Sequence, residues 1–154
     1  MEYPLLTCAI ARSTKVLGDS WSLLIMRDII CHKKSKFKNF KASKEKIASN
    51  ILTNRLKSLL EMGLIEKLDP NGTKKSTTYI ATQKGLDSLP IICQMYLFSI
   101  DTIEESLLDD MQKNVKKQMK GDVALFQKTK ISEYKSFIEE LRENLRLSKL
   151  AQKK

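Results

Sequence analysis

The chain has 154 residues, 30% of them charged, with 28 Lys+Arg against 18 Asp+Glu and a net charge of +10. That length supports one core-forming domain with an extension. The basic balance excludes an acidic, self-solvating chain and points to a polyanionic partner, without separating DNA from RNA or an acidic membrane surface.

The charge is uneven: residues 1–90 hold 16 Lys+Arg against 8 Asp+Glu, and residues 91–154 hold 12 against 10. No charged segment followed by a long apolar run opens the sequence, and apolar stretches such as Leu23–Met26 are far too short for a bilayer. Cys8, Cys31 and Cys93 are widely separated and odd in number. That pattern suits a reducing compartment better than a disulfide framework, so the cytoplasm is the expected location. His32 is the only histidine, which excludes a His-based metal cluster. There is no CxxC pair, phosphate loop or GxSxG, so neither catalysis nor a cofactor is expected.

In chain order, residues 7–17 predict a first helix with Ile10, Val16 and Leu17 in phase, ending at Gly18. Cys8 opens it, with Arg12 and Lys15 at helical spacing. Nearby cations lower a thiol's pKa, which bears on any reactive role of Cys8; the plainer reading is a small buried residue. Asp19 or Ser20 is placed to cap a second helix. Its buried face would be Trp21, Leu24, Ile25, Ile29 and Ile30, with Trp21 as core anchor and Arg27 and Asp28 near the far end. A lysine-rich stretch, Lys33–Lys46, follows. Phe37 and Phe40 would pin a short helix there, and a strand near Ser35–Phe37 could join a later hairpin. Lys44 and Lys46 are the lysines best placed to meet phosphate.

The segment SNILTNRLKSLLEMGLIEKL at 49–68 predicts the next helix. Ile51, Leu52, Leu56, Leu59 and Leu60 form one apolar stripe, and Gly63 supplies a left-handed stop. Asn50, Thr53, Asn54, Lys57 and Ser58 lie largely on other faces. Asn can bond adenine bidentately, Thr can touch a thymine methyl, and Lys can meet guanine or phosphate. Leu64, Ile65 and Leu68 then suggest a strand, Asp69-Pro70-Asn71-Gly72 a turn, and Thr77–Ile80 a return strand. Lys74 and Lys75, flanked by Thr73 and Ser76, give this hairpin a basic tip.

Beyond it, Thr82 can cap a helix from Gln83, and Pro90 predicts a kink or a break. Leu86, Leu89, Ile92, Tyr96, Ile100, Ile103 and Leu107 continue at helical spacing, with Met95, Tyr96 and Phe98 as core residues or the wall of an effector pocket. Glu104, Glu105, Asp109 and Asp110 look like a solvated helix face. Gly121-Asp122 breaks the chain before a last helix from Val123 towards Leu150. Ile131, Tyr134, Ile138, Leu141 and Leu145 form a seam on it, for a partner subunit or for the preceding helix.

The expected fold is mainly α with a small β-hairpin wing: a winged helix-turn-helix over 1–82 and a helical dimerisation or extension region over 83–154. The chain resembles the HxlR family of bacterial transcriptional regulators, close to the MarR proteins, over roughly residues 7–97. The resemblance rests on Cys8, LGDSWSLLIMRD at 17–28, KFKNF at 36–40, IASNILTNRLKSLLEMGLIEK at 47–67, YIATQKG at 79–85 and LPII at 89–92. Departures are Cys8-Ala9 where the family has Cys-Pro, Cys31-His32-Lys33 where it has a glycine, and Tyr96 where it often has Trp. The C-terminal extension is also longer.

The resemblance implies a homodimer that places two recognition helices in successive major grooves of double-stranded DNA, on an inverted-repeat operator. Ser49, Asn50, Thr53 and Asn54 would approach base edges, and Lys57 base or backbone. Lys74 and Lys75 would lie along the flanking backbone or minor groove. Arg55 matches a family arginine and is either a DNA contact or an ion-pair partner. Dimerisation would use the first helix and the helix after the wing, and the effector would be a small molecule or an oxidant acting on Cys8. The alternative is an RNA-binding or nucleoid-type protein without sequence preference.

Overall fold

A computed structural model of the protein describes residues 7–73 and 77–152. Helix α1 (Ala9–Leu17) stops at Gly18, whose N–H donates to the Thr14 carbonyl at 2.8 Å. Helix α2 (Ser22–His32) is capped by Asp19, which accepts from the backbone N–H of Trp21 and of Ser22, each at 2.9 Å. These bonds satisfy donors that a helix start leaves open. Because α2 runs to His32, Arg27 and Asp28 fall in its middle rather than at its far end. Trp21 is half-buried against the core.

Helix α3 (Phe37–Lys41) is a single short turn. Phe40 is buried, but Phe37, at its first position, lies at the core's edge and stays 37% exposed, so one ring rather than two pins the helix. The loop after it crosses to α4 (Ser49–Glu61). Ile47 and Leu52 are both buried, one just before the cap and one in the second turn, which sets the angle at which the chain enters α4. The stripe Leu52, Leu56 and Leu59 faces the core. Gly63 adopts φ 69°, its N–H donates to Leu60 O, and Leu64 N–H donates to Leu59 O. This pair of bonds is a Schellman stop, which a residue with a Cβ enters only with strain.

Strands β1 (Ile65–Lys67) and β2 (Tyr79–Ala81) pair antiparallel, with Glu66 opposite Ile80. Bonds from Leu68 N to Thr78 O and from Thr82 N to Leu64 O extend the ladder. The alternation of an antiparallel ladder then turns the N–H groups of Tyr79 and Ala81 away from β1. Tyr79 N–H donates to Ser35 O at 2.7 Å, and Ala81 N–H donates to the Tyr134 hydroxyl oxygen at 2.9 Å. The expected third strand near Ser35–Phe37 is therefore a single hydrogen bond. The chain turns into α3 at Phe37, too soon for a second rung, and a side chain from far along the sequence takes that place.

Thr82 caps α5 (Gln83–Leu86), accepting from Gly85 N, and its own hydroxyl donates to Gly63 O at 2.6 Å. Pro90 sits in the first turn of α6 (Leu89–Ser99), where its missing N–H costs nothing, so it marks a break. Helix α6 does not continue to Leu107. Two 3₁₀ turns, Ile100–Thr102 and Glu105–Leu107, follow, and Ile103 and Leu107 are exposed because no neighbour covers their phase. The acidic group there is no helix face either. Asp109 caps α7 (Asp110–Gly121), and Glu105 pairs with Lys116 at 2.7 Å.

Asp122 caps α8 (Val123–Ala151), accepting from Leu125 N at 2.9 Å. The seam of α8 packs on α2, α6 and α7 of its own chain, with Tyr134 and Ile138 buried. Of the two destinations expected for this seam, a partner subunit or the helix after the wing, the structure uses the second, and adds α2 and α7, because α7 folds back and lays α8 across the helix-turn-helix. One apolar cluster runs from Ile25 to Ile138. Among the described residues no helix is long and apolar enough to cross a membrane.

Candidate nucleic-acid interface

The exposed face of α4 is built by what holds its other face down. Ser49, Asn50, Thr53, Asn54 and Lys57 are all exposed, while Leu52, Leu56 and Leu59 anchor the opposite side. The first turn of α4 carries no acidic residue, and its N-cap, Ala48, offers no side-chain acceptor. Its leading N–H groups therefore remain available to an anion. Thr53 Oγ1 donates back to Ser49 O at 2.8 Å, so its hydroxyl proton is already used within the helix. Lys57 is 76% exposed, and its pairing with Glu61 at 3.8 Å is a surface contact of little worth that phosphate can displace.

Arg55 lies on a different side. Its guanidinium pairs with Asp19 at 3.3 Å and ties α4 to the start of α2. Of its two readings, the ion pair is the one the geometry contains. Burial alone would push the Asp19 carboxyl up, but bonds from Ser22 and Trp21, helped by Arg55, hold it below its ordinary value.

The approach to α4 is tied down by a cluster of charged and polar contacts. Asp28 is buried in mid-α2 and binds Lys34 at 2.8 Å, Ser43 at 2.5 Å and Arg27 at 2.7 Å. Arg27 continues to Glu45 at 2.8 Å. Burial opposes ionisation of Asp28, but the bonds from Lys34, Ser43 and Arg27 outweigh it and lower its pKa. Lys41 donates to Ile47 O at 2.5 Å. Lys34 and Lys41 are thus structural, whereas Lys44 and Lys46 are exposed beside the start of α4, with Lys46 in a left-handed turn at φ 54°. Lys74 and Lys75 lie outside the described residues. Cations that the sequence reading passed over stand on the wing itself: Lys67 is exposed on β1, and Lys149 and Arg142 of α8 reach Asp69 and Glu66. The alternation of Ile65, Glu66 and Lys67 was the available signal for the first; nothing local could reveal the others.

Cys8 is exposed at the start of α1. Cys31 and Cys93 belong to the core, where burial pushes the Cys31 thiol up to about 11 and raises that of Cys93. On α6, Met95 and Phe98 are 54% and 87% exposed beside Ile91, which is also exposed, and Tyr96 is half-buried. A groove of about 760 Å³ lies between α1 and the α5–α6 junction, lined by Val16, Leu17, Met62, Lys84 and Ile91 among others.

The model of the HxlR-like helix-turn-helix family matches residues 16–107. No curated protein matches the chain. Among solved structures, PA1607, described as a candidate transcription factor, is 28% identical with a TM-score of 0.59, covering 68% of this chain and 72% of its own. A candidate MarR-family transcriptional regulator from Porphyromonas gingivalis W83 is 24% identical with a TM-score of 0.55, over 67% of this chain and 100% of its own. The reduced form of the transcriptional regulator YodB from B. subtilis is 24% identical with a TM-score of 0.50, over 66% and 98%. These last two are likenesses of fold.

Proposed function

Because the chain belongs to the HxlR-like helix-turn-helix family of transcription regulators, we propose that it is a homodimer that binds an inverted-repeat operator in a sequence-dependent way and acts by binding, not by catalysis. The observation that carries this reading is the face of α4. Ser49, Asn50, Thr53, Asn54 and Lys57 are presented together, without acids in the first turn, on a helix tied at its middle to the start of α2 through Arg55 and running at its end into the wing. Short amides and hydroxyls of that kind meet base edges, and Lys44, Lys46, Lys74 and Lys75 supply backbone contacts around them.

Residues 1–82 form the DNA-binding part, and residues 83–154 form the dimerisation and extension part. Ile10 on α1 and Ile91, Met95 and Phe98 on α6 are large apolar side chains left exposed. Their burial against the same surface of a second copy supplies the two-fold axis. Cys8, exposed close to Ile10 in sequence, is the site at which an oxidant acts; the groove beside α1 is where a small molecule would act. The expected compartment is the cytoplasm, where the operator and a reducing thiol pool coexist.

The test is selection of bound fragments from the genome of the source organism by the full chain, followed by footprinting. Enriched inverted repeats with half-sites about one helical turn apart are the expected result. Fragments bound in proportion to length alone would replace this reading with general nucleic-acid binding.

A further inference from the structure

The family match ends at residue 107, yet the helix beyond it returns to the wing. Arg142 pairs with Glu66 at 3.9 Å, and Lys149 pairs with Asp69 at 3.1 Å. Seven residues of helix advance about 10 Å, and the three residues from Glu66 to Asp69 advance about the same as extended chain. The end of α8 therefore runs beside β1, in the same direction, as far as the wing's turn.

The charge of the C-terminal region is sorted along its length. Residues 91–140 hold 7 Lys+Arg against 9 Asp+Glu, whereas residues 141–154 hold 5 against 1. The wing itself is nearly balanced, with Lys67, Lys74 and Lys75 against Glu66 and Asp69. Its two acids, which would repel a phosphate, are the two that α8 neutralises. Arg142, Arg146 and Lys149 keep 61%, 66% and 53% of their side chains in solvent. Among the described residues, Arg146 pairs with Glu143 on its own helix alone, an exposed pairing that phosphate can replace.

We propose that the C-terminal turns of α8, through Arg142, Arg146 and Lys149, join the wing in one basic edge that grips the DNA backbone flanking each half-site, outside the bases met by α4. This rests on the DNA-binding reading above. It gives the extension a task of its own: it lengthens the electrostatic footprint outward without adding base contacts.

The experiment compares the full wild-type chain with an Arg142→Gln, Arg146→Gln, Lys149→Gln variant, and with an Arg142→Lys, Arg146→Lys variant that keeps the charge. Affinity is measured across a salt series on a duplex with long flanks and on one trimmed to the bases under the two α4 helices. Each lost phosphate contact flattens the log–log salt slope by about 0.9, so the neutral variant should lose between roughly 1 and 5 per dimer. It should also lose the gain that long flanks give the wild type, while the lysine variant retains both. An unchanged slope with equal weakening on both duplexes would mean that the helix only braces the wing, and would overturn the proposal; so would no change at all. Wild-type chain that binds every duplex alike removes operator recognition alone, and the same slope comparison on random duplex still decides the role of α8. Wild-type chain that binds no duplex overturns both.

Discussion

Asn54 projects into solvent from the second turn of α4, while Leu52 and Leu56 on either side of it are buried. A bidentate amide at a base edge is worth about 1–3 kcal/mol of discrimination. Asn54→Ala should therefore weaken operator binding roughly 5- to 150-fold and leave random-duplex binding nearly unchanged, measured by titration of both duplexes. Equal losses on the two would remove Asn54 from base recognition. Cys8→Ser should abolish oxidant-driven release of DNA, followed by mobility shift with and without peroxide. Release that persists would move the switch to another thiol or deny one. Asp28 belongs to stability instead. Removing one partner of a buried, hydrogen-bonded charge cluster costs about 3–5 kcal/mol, so Asp28→Asn should lower the urea midpoint markedly at pH 7. The folded-state pKa of Asp28 is lowered, so its contribution is present above the unfolded value near 3.8 and is lost as pH falls through the folded one. Urea titrations should show wild type and variant converging below about pH 4. At this scale the polar face of α4 and Gly63 were legible, because helical phase and a left-handed stop are local rules. The exposure of Phe37 was not, since a one-turn helix gives phase too little length to decide which ring faces inward.

The elements of the helix-turn-helix followed their local signals: caps at Asp19 and Thr82, a break at Pro90, a turn at Asp69–Gly72. Where tertiary partners decide, local signals misled. Ile103 and Leu107 keep helical spacing after α6 but meet nothing, and the chain leaves the helix at Ser99. The seam on α8 was visible, and so was one of its destinations, the helix after the wing; its packing on α2 depended on α7 turning the chain back, which no periodicity encodes. Tyr134 illustrates the point: the spacing marked it as apolar packing, and its hydroxyl in fact completes the wing. Tyr134→Phe leaves Ala81 N–H buried without an acceptor, at a cost of about 1–3 kcal/mol. Thermal or urea unfolding should report that loss, and Tyr134→Phe should exchange the Ala81 amide faster than wild type. Unaltered protection of that amide would mean that another acceptor takes over.

For the whole molecule, the apolar surface that remains uncovered is the clue to assembly. With the α8 seam used internally, Ile10, Ile91, Met95 and Phe98 are left on α1 and α6, and Phe98 is 87% exposed. In the proposed dimer, Phe98→Asp would place a charge on both sides of the two-fold contact. It should give a monomer by sedimentation, with affinity for a full operator reduced towards that for a half-site and a melting temperature that no longer depends on protein concentration. A variant that remains dimeric would relocate the axis. The basic half of the chain was apparent from composition, but the return of a basic helix end to the wing was not, because it depends on two helices whose packing is set at long range.

The bond between Ala81 and Tyr134 joins residues 53 positions apart. During translation at about 5–20 residues per second, roughly 3–10 s pass between the emergence of one and of the other. For that interval β2 presents an open edge, the kind of surface on which nascent chains pair with one another. A ribosome that stalls within α7 would thus leave a chain whose α4 is complete but whose wing is unfinished, a form suited to aggregation or proteolysis.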